Sequence, residues 1–271
     1  MVLNFPAQIQ VIPIDNNKNV NFKTRYQILK KRHDIASTER VAFSDLSKAD
    51  KQHIVNFAQQ AFIVPEPTKW WDFFNCFKKP QKIKHREINL NVFEIINYIS
   101  LYIQNELYPF RLDNKDSDIQ SYVDQLANNQ RINFSSLGIG KLCTILKKYI
   151  LSHLNGILPE EIASYLVSTS KVKNRLQYKA LLSVLPYALS ENEADLIVKI
   201  FDLFKIIDRN KDKTKMTMES LLKLFSLVMF PSTIFTDLDS IAIADEITID
   251  VFKLDFDEIP FTLIPRVVMY V

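Results

Sequence analysis

The sequence contains very little glycine: Gly138, Gly140 and Gly156 are the three glycines among 271 residues. Loops that hold phosphates with their backbone amides, such as GxxxxGK[ST] and GxGxxG, need closely spaced glycines. Neither pattern occurs in the chain. We therefore expect that this protein does not bind a nucleotide with its own backbone.

Cysteine and histidine are scarce as well. The two cysteines, Cys76 and Cys143, lie far apart, and the four histidines are scattered without an HExxH pattern. Metal sites and disulfide frameworks need these side chains at short, regular spacings. The sequence therefore predicts two reduced thiols and no metal site.

Long apolar runs and blocks of like charge are also missing. No stretch of 18 apolar residues occurs, and residues 1–17 lack the basic and apolar regions of a signal peptide. Hydrophobic residues make up 47% of the chain, charged residues 24%, and the net charge is +3. This balance is typical of a globular protein and argues against a transmembrane segment and a nucleic-acid partner. We expect a cytoplasmic protein.

The pattern of apolar residues changes near Lys84. Before it, we predict a short strand at residues 8–14, a basic helix at 25–33 and a second helix at 48–62, with Ser47 as its N-cap and Asp50 at the third helical position. Residues 70–77 hold five aromatic side chains, which indicate a core, a domain junction or a partner surface.

Helical spacing then dominates from residue 89 to residue 230. Apolar side chains three and four residues apart predict seven helices, the fifth of which ends before Pro186. Residues 246–271 contain ITIDVFKLDF and FTLIPRVVMYV, which predict two strands that pair with the N-terminal one. The predicted fold class is mainly α, a helical bundle with an N-terminal α/β extension and short C-terminal strands. The predicted boundaries are an extension at 1–84, a helical domain at 85–235 and a strand-containing segment at 236–271.

Arg111 is the candidate functional residue. It follows the first of these helices on an irregular turn, within the string ELYPFRLDNKDSD. An arginine is always charged and presents five donors in a plane, which suits it to stabilise a transferring phosphoryl group. The alternative is a surface arginine that forms a weak ion pair with Asp113 or Asp116.

Several strings in a fixed order resemble one known family. They are PFR at 109–111, IQSYVDQLANNQRINF at 119–134, TILKKYIL at 144–151, the Leu185-Pro186 pair and TKMTMESL at 214–221. In this order they resemble the RhoGAP domain, which activates Rho-type small GTPases. The resemblance extends over roughly residues 89–230.

The resemblance implies a RhoGAP-like helical bundle and a Rho/Rac-type small GTPase as the partner. It implies that Arg111 acts as an arginine finger in trans, while the partner holds GTP and Mg²⁺, so that the chain needs no cofactor of its own. It also implies that Lys147, Lys148 and Ser220 bind the GTPase, with the holding of the finger loop as the other role that it suggests for Lys147. Solvated side chains on helix surfaces are the alternative interpretation for Lys147 and Ser220.

Some positions depart from the family pattern. Tyr108 replaces a loop glycine, Leu151 replaces an arginine and Ser220 replaces an asparagine. These departures favour an alternative function, a catalytically impaired RhoGAP-like module that binds a GTPase or another protein. A third hypothesis is an assembly subunit that docks through the aromatic residues at 70–77.

Residues 208–219 invite one more interpretation. Asp208, Asn210, Asp212 and Glu219 occupy positions 1, 3, 5 and 12 of an EF-hand calcium loop. The sixth position, where an EF-hand has glycine, is Lys213. We therefore favour a polar loop between two helices over a calcium site.

Overall fold

The structure, a computed structural model, describes residues 40–63, 82–171 and 175–260. Cys76 and the predictions for residues 8–14, 25–33, 70–77 and 261–271 lie outside these ranges. The described residues form two short strands, β1 (Arg40–Ala42) and β2 (Glu258–Pro260), and ten α-helices. The helices are α1 (Lys48–Ala61), α2 (Leu90–Tyr102), α3 (Ile119–Ala127), α4 (Ile139–Tyr149), α5 (Glu160–Lys171), α6 (Arg175–Ala188), α7 (Glu191–Arg209), α8 (Lys211–Thr214), α9 (Met218–Met229) and α10 (Leu238–Phe252).

The chain divides into two compact units. Among the described residues, one unit contains 40–63, Lys82, 175–188 and 254–260, and the other contains 83–171 and 189–253. The mainly helical fold with short strands agrees with the predicted fold class. In the described part of the chain, no helix is both long enough and apolar enough to cross a bilayer.

In the first unit, α1 packs on α6 and β1 pairs antiparallel with β2, with Val41 opposite Ile259. Helix α1 begins as predicted, because the Ser47 side chain accepts a hydrogen bond from the Asp50 amide at 3.2 Å. The prediction that α6 ends before Pro186 is wrong, since the helix continues to Ala188. Pro186 lies in the last turn and is buried, so packing outweighs the hydrogen bond that proline cannot donate.

The second unit is a helical bundle. Helix α2 buries Val92, Ile95, Ile96 and Ile99, and it packs against α4 and α7. Helix α3 packs on α4, while α9 packs on α7 and α10. All seven predicted helices are present, as α2 to α7 and α9, and α6 belongs to the first unit.

Helix α10 corrects the prediction for the C-terminal segment. The string ITIDVFKLDF, residues 247–256, was predicted as a strand, but α10 covers its first six residues and ends at Phe252. Asp237 caps the helix by accepting a hydrogen bond from the Ser240 amide at 2.7 Å. Ala244, Ile247 and Val251 are buried at helical spacing, so the packed face overrides the β propensity of the β-branched residues.

A tight turn ends α4. Residues Ile150–Leu154 form a π-helical turn, Asn155 adopts a left-handed conformation with φ 50°, and Gly156 follows with φ +96°. A Cβ atom on Gly156 would lie 2.6 Å from the carbonyl carbon of Phe230. Glycine is therefore required here both by conformation and by space.

A partly buried ion pair ties this turn to α7. The Arg86 guanidinium donates to the carbonyl oxygens of Leu154 (2.9 Å), Gly156 (2.7 Å) and Ile157, and to the carboxylate of Glu193 at 3.2 Å. Burial alone would raise the pKa of Glu193. Hydrogen bonds from His85, the Ser190 amide and Arg86 outweigh it and hold that pKa below its ordinary value. Glu193 is completely buried and also closes the capping box of α7.

Candidate functional site

The loop that carries Arg111 begins after α2 and a 3-10 turn at Ile103–Asn105, and it ends at α3. The Tyr108 amide donates to the Thr214 carbonyl in α8 at 2.9 Å, and the Arg111 amide donates back to the Tyr108 carbonyl at 3.1 Å. Tyr108 and Phe110 adopt positive φ angles of 51° and 64°. Such angles are uncommon outside glycine, so the loop is held in a strained conformation by its surroundings.

Phe110 anchors the loop in the core. Its side chain is 1% exposed, and its ring meets Phe225 of α9 and Phe204 of α7 edge to face, with centroids 5.2 Å and 6.2 Å away. Edge-to-face contacts of this kind contribute about 0.5 to 1.5 kcal/mol beyond the burial of the rings.

Arg111 is exposed, and its guanidinium lies 6.0 Å from the centre of the Tyr108 ring. The alternative of an ion pair with Asp113 or Asp116 is wrong. In the structure Asp113 pairs with Lys147, and Asp116 pairs with Lys141 at 3.1 Å. Within the described ranges no acidic side chain pairs with Arg111.

Lys147 of α4 lies beside the loop. Its ammonium group donates to the carbonyl oxygen of Phe110 at 2.9 Å and forms an ion pair with Asp113. The side chain is only 13% exposed, so the alternative of a solvated charge on a polar helix face is wrong for Lys147.

Lys148 and Ser220 form no hydrogen bond or ion pair with the loop among the described residues. Lys148 is half-buried in the last turn of α4. Ser220 is exposed in the first turn of α9, where its hydroxyl lies 3.1 Å from that of the cap residue Thr217. The structure thus brings Lys147 to the Arg111 loop directly, and Ser220 only through the helix on which Phe110 packs.

The EF-hand pattern at 208–219 does not form a calcium loop. Asp208 accepts a hydrogen bond from the Met218 amide at 2.8 Å and Lys215 takes a left-handed conformation, while α8 interrupts the segment. No cluster of three histidine, cysteine, aspartate or glutamate side chains that could hold a metal occurs among the residues described. The exposed lysines of this segment, Lys211, Lys213 and Lys215, instead flank the Thr214 carbonyl that accepts from Tyr108.

Cys143 lies on α4 beneath the loop. It is completely buried, and this burial raises the pKa of its thiol despite a hydrogen bond with the backbone of Phe110. Nucleophilic cysteines need a lowered pKa and access to solvent. This thiol is therefore a packing residue.

Comparison with known proteins identifies the family of this chain. The sequence profile of the RhoGAP domain matches residues 90–234, just over half of the chain. The chain belongs to the RhoGAP domain family. The resemblance predicted from the strings between residues 89 and 230 is thereby confirmed.

An uncharacterized protein of Encephalitozoon cuniculi (strain GB-M1) is 19% identical over 176 residues, which cover 64% of this chain and 71% of that protein. Human Rho GTPase activating protein 15 superposes with a TM-score of 0.50 at 14% identity, over 60% of this chain and 80% of that chain. The BH domain from GRAF, the GTPase regulator associated with focal adhesion kinase, gives 0.48 at 15% identity, over 59% and 87%. The similarity to the human protein supports a RhoGAP fold.

Membership assigns the chain the family-level function, activation of Rho-type small GTPases, and a Rho-type GTPase as partner. The structure describes the conformation of two residues at which this RhoGAP domain departs from the family pattern. Tyr108, at the position of the family's loop glycine, has itself adopted a positive φ. Leu151, at the position of an arginine, is 42% exposed in the π-helical turn after α4.

Sequence reasoning missed two residues of α4 that contact the Arg111 loop. Thr144 and Lys141 of α4 contact the loop at Asn114, Asp116 and Asp118. A signal was available, because Lys141, Thr144 and Lys147 are three residues apart and so share one face of a helix. The acidic residues of the loop follow no regular spacing, so the sequence does not predict which of them pairs with which residue of α4.

Proposed function

We propose that this RhoGAP domain activates a Rho/Rac-type small GTPase by inserting Arg111 into the partner's nucleotide site. The observation that carries the proposal is an exposed guanidinium with no acidic partner among the described residues, on a loop anchored through Phe110 and Lys147. A cation held in this way is free to enter a neighbouring phosphate site.

The chemistry is electrostatic stabilisation of the transition state. The GTPase holds GTP, Mg²⁺ and the attacking water, and charge develops on the oxygens of the transferring phosphoryl group. Arg111 supplies donors and positive charge to those oxygens, which in arginine-finger systems accelerates hydrolysis about 10³- to 10⁵-fold, or roughly 4 to 7 kcal/mol of barrier. The activator itself needs no cofactor, and its proposed place of action is the cytoplasm.

The other site residues have separate proposed roles. Lys147 already donates to the Phe110 carbonyl and pairs with Asp113, so we assign it to holding the loop. Lys148 and Ser220 are accessible to a partner, and we assign them to binding the GTPase surface.

The test is single-turnover GTP hydrolysis by a panel of Rho and Rac type GTPases, measured together with the Kd of each complex. We expect wild type to accelerate at least one GTPase, and Arg111→Ala to remove at least about 10³-fold of that acceleration with little change in Kd. Lys148→Glu should raise Kd instead. Arg131→Ala is the matched control, because Arg131 is an exposed arginine paired with Glu94 away from the loop. Equal acceleration by wild type and Arg111→Ala contradicts the finger role.

A second candidate function is a binding module that lacks catalysis. The observation that favours it is the strained Tyr108 backbone together with the exposed Leu151 in place of an arginine. It predicts complexes of measurable Kd in which wild type and Arg111→Ala both leave the hydrolysis rate at its intrinsic value. The same panel therefore separates the two functions.

A further inference from the structure

One face of α4 holds the segment that follows Arg111. Lys141, Thr144 and Lys147 are spaced three residues apart, and each contacts a different part of residues 110–118. Lys147 contacts the Phe110 end, as described above. The other two contacts lie further along the loop, at residues 114–118.

Lys141 binds two carboxylates at the far end of the loop. Its ammonium group lies 3.1 Å from Asp116 and 2.7 Å from Asp118, and 5.5 Å from the centre of the Tyr122 ring. Only 13% of the lysine side chain is exposed, whereas the two carboxylates are about half exposed. The hydrogen bond to Asp118 is the main cause of a raised pKa of Lys141.

Thr144 binds the middle of the loop. The Asn114 amide donates to its hydroxyl oxygen at 3.0 Å, and the hydroxyl donates to the Gly140 carbonyl at 3.0 Å. The threonine is 1% exposed, so its hydroxyl proton and lone pair are both used inside the protein. Asn114 in turn accepts a hydrogen bond from the Asp116 amide at 2.9 Å, which joins this contact to the next one.

The contacts also determine which charged side chains of the loop are paired. Asp113, Asp116 and Asp118 each pair with a lysine of α4, whereas Arg111 pairs with none of them. Any of these carboxylates released from its lysine would become a competing partner for Arg111. Fixing the acidic segment therefore keeps the guanidinium unpaired as well as in place.

We infer that Lys141 and Thr144 are positioning residues, which clamp residues 114–118 to α4 and thereby present Arg111 to the partner. The link to Arg111 rests on the proposed GTPase activation, whereas the clamp itself can be measured without any GTPase.

The first measurement is limited digestion of the full chain by trypsin, which cleaves after Arg111 and Lys115 when the loop detaches. The test variants are Thr144→Val and Lys141→Met. Both lie on α4 and leave the loop sequence, and thus its intrinsic susceptibility, unchanged. The matched controls are Thr144→Ser and Lys141→Arg, which keep the hydroxyl and the charge.

We expect trypsin to cut the loop of each test variant about tenfold faster than that of wild type. Each substitution removes one or two of the hydrogen bonds that hold the loop on α4. The two controls should be cut at nearly the wild-type rate. In single-turnover hydrolysis, the test variants should give a maximal rate about tenfold below that of wild type with Kd nearly unchanged. The controls should keep the wild-type maximal rate.

Loop cleavage at the wild-type rate in both test variants overturns the clamp. Faster cleavage with an unchanged maximal rate of hydrolysis overturns the positioning role. If wild type activates no GTPase but the cleavage rates change as expected, the clamp stands and the proposed function fails. Lys141→Met keeps the unbranched apolar stem of the lysine, so it keeps the test valid if Thr144→Val fails to fold.

Discussion

At the residue scale, Tyr108 is a position where this RhoGAP domain departs from the family pattern. It occupies a glycine position of the family with φ 51°, and its amide is bonded to Thr214. A residue with a Cβ is strained there, and a β-branched residue more so.

We predict that Tyr108→Val destabilises the protein by about 1 to 3 kcal/mol relative to Tyr108→Gly, measured as the free energy of unfolding in urea. Glycine relieves the strain but increases the entropy of the unfolded chain, so Tyr108→Gly should lie within about 1 kcal/mol of wild type. Equal stability of the valine and glycine variants would show that the positive φ carries no strain.

At the element scale, α4 organises the site, and its pattern is visible in the sequence. The apolar positions Leu142, Ile145 and Leu146 predicted the helix, and the polar face between them holds the loop. Helix α10 was missed because Ile247, Thr248 and Ile249 have high β propensity, although the Asp237 cap and the buried spacing indicate a helix. The positive φ of Tyr108 and the Arg86–Glu193 pair, whose residues lie 107 positions apart, leave no local pattern.

The turn after α4 gives a prediction for glycine. Gly156→Ala should lower the free energy of unfolding by about 2 to 4 kcal/mol, because the added Cβ meets the Phe230 backbone at 2.6 Å and the φ of +96° disfavours alanine. Gly138→Ala is the control, since its Cβ would have no heavy atom within 4 Å. Urea denaturation of both variants checks the difference, and equal losses would contradict the steric reason.

At the scale of the whole molecule, the Arg86–Glu193 pair joins three stretches that are distant in sequence: residues 85–86, the turn at 154–157 and the start of α7. The pKa of Glu193 is lower in the folded state than in the unfolded chain. Its stabilisation is therefore complete above the unfolded pKa of roughly 4.3 and is lost as the pH falls through the folded value.

We predict that Glu193→Gln costs about 3 to 5 kcal/mol at pH 7, because it leaves the Arg86 charge uncompensated. Its free energy of unfolding should also fall less steeply than that of wild type below pH 4. The control Glu94→Gln removes an exposed ion pair with Arg131 and should cost under about 1 kcal/mol. Parallel acid profiles for wild type and Glu193→Gln would contradict this assignment.

Cys143 has a practical consequence. Its thiol is completely buried and forms a hydrogen bond with the backbone of Phe110. Burial raises the pKa of this thiol and keeps it protonated. An alkylating reagent can reach this buried sulfur only while the structure around it is open. In a Cys76→Ser background, the rate of modification of Cys143 would therefore report how often the structure around this residue opens, without any engineered label.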